Sequence, residues 1–286
     1  MKGMPIVRFM VSTTSPFVPM TPAQTLWVPG TPPLELRVWG QKPRGGAVPL
    51  VLHFHGGAFV SGDLDSGACL AGLLASSGAV VASLAYPLAP AHRFPEAVEA
   101  GYAALEWLYK QRSRLAGKDA PLLLAGEEAG GNIAAAVALM VRDRGHPPLA
   151  GQMLVAPMLD PCNATASLRQ TMGEATCCKW IDGWQQYLRG PMDAEHPYAV
   201  PSRAQRLAGL PPTLILTGGD DPMRDEALAY AERLREAGIA VHSGVLPSTT
   251  GWPDSLSEQP AEECPCAIEV REHVRAFFRA ATPPPS

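Results

Sequence analysis

Long apolar runs are missing from this chain. None of its 286 residues falls in a run that reaches the roughly 18 a membrane-spanning helix needs. Clustered positive charge is missing too. Lys and Arg number 23 against 27 Asp and Glu, a net charge of -4, and no basic run stands out, which counts against a nucleic-acid surface. Charged residues make up only 17% and apolar ones 47%, the balance of a chain with a full core rather than a disordered one. No stretch repeats. Met1 to Met20 holds Lys2 and Arg8 but no continuous apolar region and no clear cleavage site, so no secretory signal is expected. The cysteines (Cys69, Cys162, Cys177, Cys178, Cys264 and Cys266) lack zinc-ligand spacing. Reduced thiols in a cytoplasmic protein are expected, with no metal and no cofactor. A metal site or a disulfide between 177/178 and 264/266 is the alternative.

What is present is an alternation of buried strands and amphipathic helices. Leu34 to Trp39 alternates and reads as an edge strand. Val48 to His53, Ala79 to Ala85, Pro121 to Ala125, Gln152 to Ala156, Thr213 to Thr217 and Ala240 to Leu246 read as strands, most of them short apolar runs. Helices are predicted at Gly67 to Ser76, at Pro95 to Gln111, at Ile133 to Arg142, from Pro222 to a stop at Gly238, and around Val270 to Phe278. Strands alternating with helices imply a mostly parallel sheet covered on both faces, with ligands at the carboxyl ends of its strands. The expectation is one α/β domain over residues 1–286. Residues 1–32, rich in Pro and Thr, form an arm or lid, and residues 160–200 form a lid insertion with one amphipathic helix carrying Trp180, Trp184 and Tyr187.

The centre of the chain is Leu122-Leu123-Leu124-Ala125-Gly126-Glu127-Glu128-Ala129-Gly130-Gly131-Asn132. An apolar strand stops at glycine, a small turn follows, and a helix begins. Enzymes with the pattern G-x-S-x-G use such an elbow to hold a serine at a strained apex. Gly126 and Gly130 stand where close approach of strand and helix forbids a Cβ. The apex residue is Glu128.

Further blocks keep order around this elbow: His53-Phe54-His55-Gly56-Gly57-Ala58, Tyr86 to Pro95, Asp221-Pro222-Met223-Arg224-Asp225-Glu226, and Thr250-Gly251-Trp252. Together they resemble the hormone-sensitive-lipase family of carboxylesterases, which are α/β hydrolases, over about residues 33–280. The resemblance implies an oxyanion hole from the backbone N–H groups of Gly56, Gly57 and Ala129, and Asp221 as the triad acid. The family's elbow reads Gly-Asp-Ser-Ala-Gly-Gly-Asn, and its base is a histidine followed by Gly-Phe. Here Glu128 stands at the serine position and Thr250 at the histidine position.

Serine-type ester hydrolysis needs a hydroxyl to attack and an imidazole to carry its proton. Glu128 and Thr250 supply neither. A carboxylate nucleophile would form an intermediate whose breakdown needs an activated water, and the activating residue is missing. His242, eight positions before Thr250, reads as a surface or edge histidine, and His55 as a brace for its own turn. The preferred reading is a small-ligand-binding or regulatory protein on an esterase frame, as in the gibberellin receptors, which the chain also resembles. Its ligand would be a small apolar or acidic molecule, with Trp252, Trp180 and Trp184 as candidate pocket walls, and a homodimer is compatible with it. The alternative is an unusual enzyme, a lyase or isomerase or a carboxylate-dependent hydrolase, using Glu128 as base beside the oxyanion hole. Glu128 can also fill that hole itself, in the manner of a bound acid product.

Overall fold

A computed structural model describes residues 22–162, 164–171, 177–246, 249–258 and 266–281. Eight strands form one sheet: β1 (Gln24–Val28), β2 (Leu34–Trp39), β3 (Leu50–Phe54), β4 (Val80–Leu84), β5 (Leu122–Glu127), β6 (Gly151–Val155), β7 (Thr213–Gly218) and β8 (Val241–Leu246). Their order is β1-β2-β4-β3-β5-β6-β7-β8. β2 runs antiparallel to β1 and to β4, and from β4 to β8 every pair is parallel.

The helices are α1 (Ala68–Ser76), α2 (Glu96–Leu115), α3 (Ala129–Arg144), α4 (Ala166–Thr171), α5 (Cys177–Tyr187), α6 (Pro191–Ala194), α7 (Arg224–Glu236), α8 (Asp254–Glu258) and α9 (Ala267–Ala281). Successive strand side chains point to opposite faces, and β5 shows the consequence. Leu122 and Leu124 join the core under α2, α3 and α7, while Leu123 and Ala125 join the core under α1 and α9. A strand covered on both sides needs a continuous apolar run, which is why the central strands are legible in the sequence.

Three expectations change. Leu34 to Trp39 is not an edge strand, because β1 pairs along its whole length. β1 itself lies within the expected N-terminal arm; only its inner residues are covered, and Trp27 is exposed, so it lacks a two-sided apolar signature. Among its described residues the 160–200 insertion holds three short helices, not one. Of these only α5 is long enough to show a stripe, in which Trp180, Trp184 and Tyr187 are buried. The helix expected from Pro222 begins at Arg224, after a turn held by the Asp221 side chain. Residues 1–21 of the arm and 259–265 of the proline-rich loop lie outside the described residues.

Cys266 is disulfide-bonded, which overturns the reduced-thiol expectation at that position. Cys69 and Cys162 are not part of a disulfide.

Candidate functional site

β5 enters α3 through an elbow at Glu128, whose φ of 50° and ψ of -118° lie in a region costly for any residue with a Cβ, by about 1–3 kcal/mol. The surroundings over-determine it. A Cβ on Gly126 would lie 2.2 Å from the Gly130 carbonyl oxygen, and one on Gly130 would lie 2.1 Å from that of Phe54, so glycine is obligatory at both. The Glu128 N–H donates to the Val155 carbonyl at 3.1 Å and its carbonyl accepts from Met158 N–H at 2.9 Å. Asn132 locks the far side, donating from Nδ2 to the Met158 carbonyl at 3.0 Å.

The elbow aims the Glu128 carboxylate at the turn after β3. Its Oε2 accepts from the N–H of Gly57 at 2.5 Å and of Ala58 at 3.2 Å. Its Oε1 accepts from the indole N–H of Trp180 on α5 at 2.5 Å. Three N–H donors from two elements therefore close on one carboxylate that is only 4% exposed.

The N–H groups that hold Glu128 coincide with the expected oxyanion donors only at Gly57. Gly56 N–H points instead to Oε1 of Glu127, at 3.3 Å, so Ala58 supplies the second amide. Ala129 heads α3 beside the apex, but its N–H is not among the donors to Glu128. A positive φ at Ala58 (48°) and at Gly57 (106°) turns both amides to the same side, which residue identity alone does not reveal.

Glu127 was not singled out in the sequence and proves to be the anchor of the turn. Its Oε2 accepts from His53 Nε2 at 2.7 Å, and His53 Nδ1 faces the Ser83 hydroxyl at 2.9 Å. All three residues are buried. β3 and β5 are adjacent and in register at His53 and Ala125, which brings Glu127 at the end of β5 against the β3 imidazole. His55 braces the turn from the other side. Its Nδ1 donates to the Gly56 carbonyl at 2.7 Å, and its ring stacks on Tyr86 at 4.3 Å. Burial lowers the His55 pKa, against the opposing pull of that carbonyl and of Glu127.

No hydrogen bond joins Asp221 to Thr250. Asp221 accepts from the Thr217 hydroxyl at 2.6 Å and from Met223 N–H at 2.8 Å, which holds the turn before α7 but does not cap the helix, whose N-cap is Met223. Its neighbour Asp220 holds Thr250 instead, accepting at 2.9 Å from its hydroxyl, from its N–H and from the N–H of Gly251. Burial raises the Asp220 carboxyl, but those donors outweigh it and hold the pKa below the usual value.

Asp221 behaves in the opposite way. Burial raises its pKa to about 6, and the Thr217 and Met223 hydrogen bonds offset this only in part. A carboxyl that binds its proton more tightly when folded makes stability fall as pH rises, here from about pH 4 to about pH 6. Asp221→Asn keeps an acceptor for Met223 and carries no charge. Its stability relative to the unmodified chain is expected to rise by about 1–3 kcal/mol across that window and to stay level above it. Urea unfolding at pH 4, 5, 6 and 8 measures this, and a difference independent of pH would show that Asp221 does not titrate there.

A cleft of about 380 Å³ opens over Glu128, lined by Gly57, Ser61, Lys179, Asp182, Asp254 and Ser257 among others. Lys179 pairs with Asp254 across its mouth and rests on the Trp180 ring at 4.5 Å. Of the three tryptophans expected to line a pocket, only Trp180 touches Glu128. Trp184 packs on Phe59 at 4.9 Å, and Trp252 is buried in the core under α1 and α9. Large aromatic side chains near the site are first of all core, and only the indole N–H of Trp180 found a partner in the site.

A mostly parallel eight-stranded sheet with a strained strand-to-helix elbow at its carboxyl edge and convergent amides facing that elbow defines an α/β hydrolase. A family model described as alpha/beta hydrolase fold matches residues 51–250, and the chain belongs to that family. It is 35% identical over 227 residues to Esterase LipI of Mycobacterium tuberculosis, covering 73% of this chain and 71% of that one. It is 35% identical over 210 residues to Gibberellin receptor GID1 of Oryza sativa subsp. japonica, covering 68% of this chain and 58% of the receptor. Among solved structures, Bacterial Heroin Esterase superposes with a TM-score of 0.79 at 33% identity, over 92% of this chain and 86% of that one. The chain is thus an esterase- and lipase-like α/β-hydrolase homologue. Among the described residues no helix is long and apolar enough to cross a membrane.

Proposed function

We propose that this chain is a non-hydrolytic member of its family, a small-ligand-binding or regulatory protein whose oxyanion hole is filled by its own Glu128. The observation that carries the reading is the carboxylate at the elbow with both oxygens engaged by the N–H groups of Gly57, Ala58 and Trp180. An ester carbonyl entering the cleft finds those amides already bonded, no hydroxyl at the apex, and a threonine tied to Asp220 where the family has its base. Likeness to a gibberellin receptor as well as to esterases supports the same reading.

The contacts also weigh against Glu128 as the base of a lyase or isomerase. To take a proton from a ligand, the carboxylate has to give up hydrogen bonds to groups that are themselves buried, each worth about 1.5–3 kcal/mol when one partner is charged. The ligand class shifts for a related reason. An acidic ligand meets amides that Glu128 already occupies, and an apolar one meets hydroxyls and charges at the lining. A small, neutral, hydrogen-bonding organic molecule fits the Ser61, Gln186 and Ser257 side chains better than the apolar or acidic ligand expected from the sequence. A homodimer is a further part of this proposal, checked by sedimentation velocity, while the disulfide at Cys266 counts against the cytoplasmic location expected from the sequence.

The unmodified protein is expected to give no release of p-nitrophenol from the acetate or butyrate ester above that of a heat-denatured control. Saturable, enzyme-like turnover of either ester by the purified chain would sink the proposal.

A further inference from the structure

We propose that His242 and His273 form a two-imidazole site for a borderline divalent transition metal of the zinc, nickel or copper class. The pair lies on the outer face of the molecule, apart from the Glu128 cleft. His242 sits on β8, which ends the sheet, and His273 sits on α9, which packs over it. His242 Nε2 and His273 Nδ1 are 3.0 Å apart, with ring centroids at 5.1 Å.

That separation fits chelation as well as a hydrogen bond. Two nitrogens each about 2.0–2.1 Å from one metal lie about 2.9 Å apart at a right angle and about 3.3 Å apart at the tetrahedral angle. Replacing the shared proton by a metal needs each ring to turn its lone pair about 35–45° away from the line between the two nitrogens. His242 and Gly244 share one face of β8. The His273 ring lies over the strand at Gly244, where a Cβ would stand at ordinary contact distance, 3.4 Å, from Nε2, and its Nδ1 is toward His242.

The surroundings favour a cation that accepts neutral imidazole. Burial and the neighbouring His242 lower the His273 pKa, while the charges of Glu269 and Glu272 act in the other direction. Glu269 stands one turn before His273 on α9, the spacing at which helical side chains meet. Its Oε2 is buried and has no hydrogen-bond partner, and a metal-bound water is a donor it lacks. No third His, Cys, Asp or Glu completes a protein ligand set among the described residues, so water fills the remaining positions. Imidazole ligands select zinc, copper and nickel over magnesium and calcium. The bound metal ties the last strand to the last long helix. The sequence showed no metal spacing because the two ligands come from elements 31 positions apart.

The test is calorimetric titration of the untagged full chain, freed of metal by chelator, with nickel chloride and zinc chloride. The result expected is one nickel ion per chain, with affinity at least about tenfold weaker in His242→Ala and in His273→Ala, since either change removes one of two ligands. Magnesium chloride is expected to give no binding. Far-ultraviolet circular dichroism confirms that both variants remain folded, as expected for changes at partly exposed rings. Absence of nickel and zinc binding by the unmodified chain overturns the proposal. So does binding that persists unchanged in either variant, which places the metal on other side chains.

Discussion

A Glu128→Ser/Thr250→His double variant is expected to hydrolyse p-nitrophenyl butyrate at least about a hundredfold faster than the unmodified chain, the lower end of what a positioned general base contributes. The first change does two things. It puts a hydroxyl on a backbone already held at φ 50° and ψ -118°, and it releases the Gly57, Ala58 and Trp180 N–H groups from the carboxylate. Amides 2.5 Å and 3.2 Å from the present acid oxygen then face an ester oxyanion, and one such donor is worth about 10²–10³ in rate. The second change supplies the ring that takes the serine proton. Asp220, which now accepts three hydrogen bonds from Thr250 and Gly251, is the carboxylate placed to orient it. Glu128→Ser alone should gain far less, because nucleophile and base act as a unit. A folded double variant with no gain over the single one would show that position 250 does not present its side chain to the elbow.

Glu127→Ala is expected to destabilise the fold by about 3–5 kcal/mol, the cost of removing one partner from a buried ionic or strongly polar pair. His53 is fully buried and Glu127 is 1% exposed, so water cannot replace the lost carboxylate. Truncation leaves His53 Nε2 without an acceptor and frees the Gly56 N–H, and it opens a cavity where β3 and β5 meet. Glu127→Gln keeps an acceptor and the volume, and about 1–2 kcal/mol is expected for it. Urea unfolding of both variants at one pH measures the difference. A Glu127→Ala effect under about 1 kcal/mol would show that the His53–Glu127 contact does not hold the turn.

These two neighbours show how sequence and structure divide the work. Both read as acids in a glycine-rich turn. Family resemblance drew attention to Glu128 because a serine is expected there, and passed over Glu127 because an acid is expected there. Their difference lies in direction. One side chain points back along β5 to the β3 imidazole, and the other points across the turn to the oxyanion amides. Alternation along a strand and the bend after it set those directions, and both depend on which strand lies next door.

The succession of strands β2 to β8 and of the long helices between them, the apolar runs of the central sheet, the two glycines that admit the elbow and the acid at its apex were legible in residues alone. Each rests on a local constraint: the period of burial, the absence of a Cβ, or the chemistry of a side chain. Several pairings were decided only by the tertiary structure, among them Ala58 in place of Gly56 as a donor, Asp220 rather than Asp221 on Thr250, Trp180 alone of three tryptophans in the site, and His242 against His273. Those contacts join segments tens of residues apart, and their geometry follows from strand register, helix packing and backbone φ angles, none of which a residue's identity encodes.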